Sequence, residues 1–254
     1  MRRIRLVIDE GPPHYQMAVD EAILLLRGAG VSPDTLRLYV FNPSSVTIGY
    51  FQSLRESVNL SYVKEAGIPV VRRVSGGGSV YHDSCGEVTY AVILPAGDLP
   101  SDYVESFKLI CEGVVRAARK LGCNARFAPL NDVVSADGRK FSGSAQARRL
   151  GAVLQHGTFM YATDVETLAR CLSVPKGKYS ESDVVNAIMR RVTTVSACAG
   201  RPVSRGEAIQ ALREGFAEAL DAELVEGRYL PAELELAKSL AWKYRSGEWL
   251  ELRP

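Results

Sequence analysis

The stretch RRVSGGGSVYHD, residues 72–83, places two arginines before three consecutive glycines and ends on a His-Asp pair. Each glycine costs backbone entropy on folding, and in return it allows a close approach that a Cβ would block. The flanking segments, IPVVRRV and EVTYAVILP, have the composition of strands. We therefore predict a glycine loop between two strands, which can present backbone N–H groups to an anion while the arginines bind it.

Two common phosphate-binding loops do not fit this stretch. A Walker loop ends on Gly-Lys-Ser/Thr, whereas Gly78 is followed by Ser79 and Val80. The dinucleotide fingerprint needs a third glycine where Tyr81 stands, and both motifs require a helix after the loop. A flexible hairpin tip with solvated arginines is the alternative interpretation of residues 72–83.

The composition is that of an ordinary globular protein, with 254 residues, 46% of them hydrophobic and 24% charged. The net charge of +2 gives no argument for a nucleic-acid partner. The chain shows no apolar run long enough for a membrane span and no signal peptide. Five scattered cysteines suggest neither a disulfide framework nor zinc, and three histidines disfavour a His-rich metal site. We expect a cytoplasmic protein with reduced thiols and no membrane partner.

Helical and extended patterns occur in mixed order along the chain. YQMAVDEAILLLRG has helical spacing, with Asp20 and Glu21 opposite the apolar face. SDYVESFKLICEGVVRAARKLG predicts a long helix with Ser101 as its N-cap. Asp137-Gly138 predicts a hairpin turn, and AVLQHGTFMY predicts a further strand. Clustered strands with scattered helices do not alternate as a doubly wound sheet would.

A second group of polar residues follows in NDVVSADGRKFSGSAQ, residues 131–146, and in LQHGT. Taken separately, its members have ordinary explanations. Lys140 beside Arg139 is usually a solvated pair of charges, and His156 is more often structural than catalytic. Together with the glycine loop, however, they form an ordered set of charged and small residues.

These segments resemble the lipoate–protein ligase family, within the wider group of biotin and lipoyl protein ligases. MAVDEAIL looks like the family's first helix, and PSSVTIGYFQ looks like one of its strands. RRVSGGGSVYHD looks like its glycine loop, and NDVVSADGRKFSGSAQARR looks like its lysine hairpin, followed by LQHGT. The resemblance covers roughly residues 1–180.

The resemblance implies an α+β fold with a mixed, largely antiparallel sheet flanked by helices, as in class II aminoacyl-tRNA synthetases. We expect one catalytic domain over residues 1–254, with a core of about 1–180. Residues 181–254 then finish the fold, with Trp242 and Trp249 covering its core. This leaves too little chain for an accessory domain, so the resemblance also implies a possible separate accessory protein.

The activity implied is ATP-dependent lipoylation in two steps. Lipoate is activated to lipoyl-AMP, and a lysine of a lipoyl carrier domain then takes the acyl group. The carrier is of the glycine-cleavage H-protein type or the 2-oxoacid dehydrogenase E2 type. Lys140 and Asp132 are the expected catalytic residues, because fixed positive charge lets a carboxylate approach a triphosphate, and Asp132 can hold Mg²⁺ on phosphate oxygens.

Further residues are expected to bind substrate or nucleotide. Asp132, or alternatively Asp83, is expected to orient the attacking amine and take its proton. Tyr39, Leu38, Val74 and Val80 are expected to form part of an apolar tunnel. The remaining binding residues are Arg72, Arg73, Ser75, Gly76, Gly77, Gly78, Val80, His82, Asp83, Asn131, Ser142, Gly143, Gln146, His156 and Gly157.

Three alternatives stay open at this point. An octanoyltransferase of the same scaffold passes the acyl group through a cysteine, just upstream of the lysine hairpin or some twenty residues after the His-Gly pair. Those places hold Asn131-Asp132 and Pro175-Lys176, and we expect Cys85 to be a bystander. A biotin ligase would have a Gly-Arg-Gly-Arg pattern, which VRRVSGGGS lacks. A carrier-binding scaffold without catalysis is the non-enzyme alternative, disfavoured by Lys140 with Asp132.

Overall fold

The computed structural model describes residues 1–172 and 181–253. The strands are Arg2–Gly11 (β1), Thr35–Phe41 (β2), Ser45–Ile48 (β3), Val70–Arg72 (β4), Val80–His82 (β5), Glu87–Pro95 (β6), Ala125–Ala128 (β7), Asp132–Ser135 (β8), Lys140–Arg149 (β9), Ala152–Met160 (β10) and Ala222–Glu226 (β11). The helices are Pro13–Gly28 (α1), Leu54–Ser57 (α2), Leu60–Glu65 (α3), Tyr103–Lys120 (α4), Val165–Cys171 (α5), Glu181–Arg191 (α6), Val195–Ala199 (α7), Arg205–Ala219 (α8), Pro231–Arg245 (α9) and Gly247–Leu250 (α10).

A large sheet of eight strands has the order β11-β1-β2-β6-β10-β9-β8-β7. β1 pairs in parallel with β11 and with β2. Every other pairing in this sheet is antiparallel. A small sheet, β4-β3-β5, carries the strands on either side of the glycine loop. The α+β class with a mixed, largely antiparallel sheet is thus confirmed.

Helices pack on the large sheet in two groups, each with its own apolar core. α4 and α8 pack on each other so closely that a Cβ on Gly215 would lie 2.3 Å from the carbonyl oxygen of Gly113. Their core includes Ile110, Val114 and Phe216. α1 and α9 pack together over the second core. Because α1 contacts the sheet on one side and α9 on the other, most of its side chains are buried.

Two acidic residues of α1 show the consequence of this double packing. The amphipathic pattern predicted that Asp20 and Glu21 face away from the apolar side, but both are buried. Glu21 accepts hydrogen bonds from Lys243 and Tyr244 of α9. The prediction of their exposure was wrong, because a helix between two layers has no solvent face.

Two predictions at helix ends and in the C-terminal region need correction. α4 is capped by Asp102, whose carboxylate accepts from the backbone N–H of Glu105 at 2.9 Å, and Ser101 lies one residue outside. Trp242 is 67% exposed and covers no core. Trp249 does pack against the second core, and its indole N–H donates to the backbone oxygen of Arg72 at 2.8 Å.

The expectation of five reduced thiols is also wrong. Cys123, after α4, and Cys198, in α7, form a disulfide with their Cα atoms 5.1 Å apart. Their separation of 75 residues in sequence hides this pairing, because only the packing of α7 against the end of α4 brings them together. No helix among the described residues has the length and apolar character needed to cross a membrane.

Candidate active site

A cavity of about 100 Å³ lies between the glycine loop, α1 and the middle of strands β9 and β10. Apolar side chains form one wall of it, and polar groups converge from the other side. We call it the acyl cavity. Of the predicted site residues, ten line it: Arg73, Gly77, Gly78, Val80, His82, Asn131, Lys140, Gly143, His156 and Gly157.

Arg73 holds the glycine loop in place. One of its terminal nitrogens donates to the backbone oxygens of Gly76 and Gly78, at 2.7 Å each. Burial lowers the pKa of Arg73 to about 10, so it stays charged at neutral pH. Gly77 has φ of +89°, and a Cβ on Gly49 would lie 2.1 Å from the backbone oxygen of Gly77. Gly77 and Gly49 are therefore needed for the close packing of the loop, whereas a Cβ on Gly78 would meet nothing within 4 Å.

Arg72 does not contact the cavity, which corrects its expected role as an anion ligand. Its guanidinium is buried and donates to five backbone oxygens, among them those of Gln52 and Leu250. These contacts join β4 to the segment that follows β3 and to the C-terminal segment. The two adjacent arginines alternate along an extended backbone, so only Arg73 points toward the loop.

His156 connects the cavity to a buried carboxylate. Its Nε2 lies 2.6 Å from Ser75 Oγ, and its Nδ1 lies 2.9 Å from Asp20 Oδ2. Burial lowers the pKa of His156, with Asp20 opposing that effect. His156 is therefore neutral near pH 7, with its orientation fixed by hydrogen bonds at both ring nitrogens.

Asp20 is a buried partner of His156 that sequence reasoning missed. Burial alone would raise the pKa of Asp20, but Arg37, followed by His156 and Tyr39, lowers it below its ordinary value. Arg37 is fully buried and donates to Asp20 as well as to Tyr229. The only available signal was a carboxylate inside an apolar helical run, and nothing in the sequence identified its partners on β2 and β10.

His82 lies at the far end of the cavity. Its Nδ1 lies 3.2 Å from Glu87, and its Nε2 lies 3.1 Å from Thr47 Oγ1. Its ring packs on Phe41 with centroids 4.1 Å apart. Burial raises the pKa of Glu87. These contacts give His82 a fixed orientation facing the cavity.

Lys140, the first residue of β9, pairs with Asp132, the first residue of β8. Lys140 Nζ lies 2.7 Å from Asp132 Oδ1, and the two side chains are 41% and 31% exposed. Gly143 leaves room for this pair, since a Cβ there would lie 2.7 Å from Lys140 Nζ. Asp132 does not line the acyl cavity and faces a neighbouring groove instead.

The expected Mg²⁺ site has little support in this donor set. Asp132 already accepts from Lys140. Within residues 1–172 and 181–253, no group of three or more His, Cys, Asp or Glu side chains is arranged to hold a metal ion. The residues present therefore do not fit a protein-held magnesium ion, and we route no step through one.

Several other predicted residues serve the scaffold rather than the cavity. Asp83 accepts from the backbone N–H groups of Cys85 and Asp164, so it is not placed to act as the base. Gln146 bonds Ser106 and Gln155. The set that lies outside the acyl cavity is Arg72, Ser75, Gly76, Asp83, Asp132, Ser142 and Gln146.

The apolar wall differs from the predicted tunnel. Tyr39 and Val80 line the cavity as expected, whereas Leu38 and Val74 are buried in the two cores. Met17 and Phe41 line the cavity in their place. Alternate residues of β2 point to opposite faces of the sheet, so Tyr39 and Phe41 share a face and Leu38 does not.

No thiol lines the cavity among the described residues. Cys85 is exposed on the turn before β6, while Cys111 and Cys171 are buried. Burial raises the pKa of Cys111 to about 11 and that of Cys171 to about 12, which keeps both as thiols. The position at Pro175-Lys176, where one form of octanoyltransferase carries its cysteine, lies outside the described residues.

Several relatives that match nearly the whole chain are named octanoyltransferase LipM. The chain is 37% identical to the octanoyltransferase LipM of Kyrpidia tusciae over 268 residues, which cover 94% of this chain and 95% of that protein. It is 33% identical to LipM of Brevibacillus brevis, covering 98% of this chain and 99% of the relative.

These relatives overturn the expected ATP-dependent lipoate ligase. Proteins that match nearly the full chain at 33–37% identity are named octanoyltransferases, which favours the alternative activity. The expectation of a lipoyl-AMP intermediate was therefore wrong. That expectation rested on Lys140 and Asp132 in the hairpin. These two side chains can assist acyl transfer from more than one kind of donor. ATP, Mg²⁺ and an accessory protein for adenylation lose their basis with it.

Solved structures of lipoate ligases are similar to this chain over nearly its whole length. A bipartite lipoate protein ligase of Thermoplasma acidophilum, described with its E2 lipoyl domain, has a TM-score of 0.87 and 34% identity, covering 100% of this chain and 97% of that one. A lipoate-protein ligase A bound with ATP has a TM-score of 0.85 and 34% identity, covering 99% of each chain.

The family model described as the lipoyl protein ligase A/B catalytic domain matches residues 12–217. That range contains the glycine loop, the lysine hairpin and His156. The chain is an enzyme of the ligase and transferase group that modifies proteins in lipoylation, and it belongs to the lipoyl protein ligase A/B catalytic-domain family.

Proposed function

We propose that this protein is an octanoyltransferase that moves an octanoyl group from a thioester donor to a lysine of a lipoyl carrier domain. The names of the relatives support the acyl group and the reaction. The bipartite ligase described with an E2 lipoyl domain supports the class of acceptor. The acceptor is thus a lipoyl domain of the dehydrogenase E2 type or the glycine-cleavage H-protein type.

The position of Lys140 carries the proposal. Lys140 lines the acyl cavity, a groove of about 460 Å³ and a third cavity of about 130 Å³. The acyl cavity has apolar walls for a chain, while the groove opens beside Asp132. A thioester carbonyl placed at this junction would have its chain in the acyl cavity and its thiol side in the open groove.

The transfer needs no external activation, because a thioester is already an activated acyl group. The ε-amine of the acceptor lysine attacks the carbonyl carbon, a C–N bond forms, and the C–S bond breaks. The amine loses a proton, and the departing thiolate gains one. Lys140 Nζ would stabilise the oxyanion as it forms, as preorganised cationic donors do in acyl transfer. Asp132 would orient the amine and accept its proton.

The remaining cavity residues bind the substrate and exclude water from it in this scheme. Arg73 would hold the glycine loop beside the substrate through the backbone oxygens of Gly76 and Gly78. His156 is held neutral by its burial, so it presents no charge to the apolar chain. Met17, Tyr39 and Val80 contact the chain. The route is direct transfer in a complex of both substrates, because no cysteine lines the cavity within the described residues.

Mass spectrometry of a lipoyl domain tests the proposal. The purified protein is incubated with the domain and an octanoyl-loaded acyl carrier protein, and in parallel with ATP, Mg²⁺ and lipoate. We expect a mass increase of one octanoyl group on the acceptor lysine in the first reaction. A lysine-to-arginine variant of the acceptor is the control. Modification only in the reaction with ATP and lipoate would overturn the proposal.

A further inference from the structure

The groove beside Lys140 carries an excess of positive charge. It is lined by Arg139, Lys140, Arg190 and Arg191, against Asp132 and Asp137. Asp137 pairs with Arg139 at 2.7 Å, and Asp132 pairs with Lys140 at 2.7 Å. Arg190 and Arg191 make no ion pair with any carboxylate in the part of the chain that the structure describes. The groove thus keeps two uncompensated guanidinium groups.

Backbone contacts hold the end of α6 against β9, the strand that begins with Lys140. Val192 forms a parallel bridge with Lys140, and the N–H of Thr193 donates to the backbone oxygen of Lys140 at 2.8 Å. Arg191 therefore precedes a residue that is docked directly on the first residue of β9. These main-chain contacts place the backbone of Arg191 next to the start of β9.

The helix macrodipole by itself explains the position of Arg190 and Arg191 less completely than a binding role does. Basic residues in the last turn of a helix interact favourably with its macrodipole, and Arg190 and Arg191 occupy the last turn of α6. That effect requires only positive charge near the helix end. It does not require both side chains to line the same groove as Lys140, as they do.

We propose that this groove binds the phosphate of the acyl donor. The inference rests on the proposed function, in which the octanoyl group arrives as a thioester of a phosphopantetheine arm. Guanidinium groups bind phosphate oxygens through paired, charge-assisted hydrogen bonds. With the chain in the acyl cavity and the carbonyl at Lys140, the arm leaves through the groove and places its phosphate at Arg190 and Arg191.

The same arm has two natural sources, an acyl carrier protein and coenzyme A. Both carry a phosphate at the end of the pantetheine, whereas a simple pantetheine thioester has none. The contribution of the phosphate to binding can therefore be separated from that of the acyl group and the thioester. Three donors are compared for this purpose: octanoyl-carrier protein, octanoyl-coenzyme A and octanoyl-pantetheine.

The test uses an Arg190→Gln, Arg191→Gln double variant with a lipoyl domain as acceptor. We expect the KM for the two phosphorylated donors to rise about 10- to 100-fold, as losing charge-assisted hydrogen bonds implies, with kcat little changed. The KM for octanoyl-pantetheine should stay at its wild-type value. An Arg3→Gln, Arg213→Gln variant removes the same charge from residues that line none of the three cavities, and it should behave as wild type.

The other outcomes are distinguishable. An equal rise for octanoyl-pantetheine, or no rise for any donor, overturns the phosphate site while leaving the proposed function intact. A rise for the carrier protein alone overturns it in favour of contact with the acidic surface of that protein. If the wild-type protein transfers octanoate from none of the three donors, the proposed function fails, and this inference fails with it.

Discussion

Lys140 Nζ lies 2.7 Å from Asp132 Oδ1, across the start of two antiparallel strands. The pair is held by the pairing of Asp132 with Gly143, which brings the first residue of β8 beside β9. Both side chains keep substantial exposure, so the pair can open toward a substrate. Exposed ion pairs contribute little to stability, which makes a role in chemistry testable apart from folding.

Replacing Lys140 with alanine should remove most of the activity and little of the stability. We expect kcat for octanoyl transfer to fall about 100- to 1000-fold, since one preorganised donor to the oxyanion is lost. The free energy of unfolding should change by less than about 1 kcal/mol. Lys108→Ala removes an exposed lysine of α4 as a control. Near-normal kcat in Lys140→Ala would contradict the assigned role.

Adding one methyl group at Gly143 should displace Lys140. The new Cβ would lie 2.7 Å from Lys140 Nζ, and the flexible lysine would move before the strand did. Gly143→Ala should therefore lower kcat while the circular dichroism spectrum and melting temperature stay close to wild type. Gly97→Ala is the matched control, because a Cβ there meets nothing within 4 Å. Equal kcat for the two variants would argue against a positional requirement for Lys140.

The burial of His156 predicts that the protein loses stability as the pH falls. Its pKa is lowered in the folded state, chiefly by burial, so the unfolded chain binds a proton more readily below its ordinary value of 6.5. The loss of stability is therefore absent above about pH 6.5 and grows as the pH falls below it. Asp20, whose pKa is also lowered, adds its own loss only below about pH 4.

Urea unfolding at pH 7 and pH 5 measures this effect. His156→Gln should reduce the difference between the two pH values, because glutamine does not titrate. His14→Gln is the comparison, since the partly buried His14 lies at the start of α1 within hydrogen-bonding distance of Arg245, and burial lowers its pKa as well. If His156→Gln retains the whole pH dependence, the neutral buried state of His156 is refuted.

The cysteines should be dispensable for transfer. Cys85→Ser and Cys171→Ser are each expected to keep at least half of the wild-type kcat, because neither side chain lines the acyl cavity. Intact-protein mass spectrometry during turnover should show no octanoyl adduct. An adduct on any cysteine, together with loss of activity in the matching variant, would replace direct transfer with an acyl-enzyme.

The disulfide between Cys123 and Cys198 should stabilise the fold. Closing a loop of 75 residues lowers the entropy of the unfolded chain, and its loss is expected to cost about 4 kcal/mol. Cys123→Ser, measured by urea unfolding without reductant, should show this decrease, and Cys85→Ser, which changes an exposed free thiol, should not. If added reductant leaves the wild-type midpoint unchanged, the bond does not form in solution.

The sequence by itself determined the local elements that carry the site. The run of glycines, the Asp137-Gly138 turn and the alternation in residues 152–160 specify a loop, a hairpin and a strand through short-range sterics and side-chain period. The order of these motifs was also sufficient to identify the family.

Tertiary structure alone decided which polar residues meet. Asp20, Arg37 and His156 come from α1, β2 and β10, and only the stacking of the helix on the sheet brings their charges together. The same holds for Cys123 with Cys198, for Arg72 with the C-terminal carbonyls, and for Val192 beside Lys140. The local pattern of apolar residues shows which side of a helix or strand faces the core. The partner of a buried charge depends on contacts between residues far apart in the chain, and these form only when the layers pack.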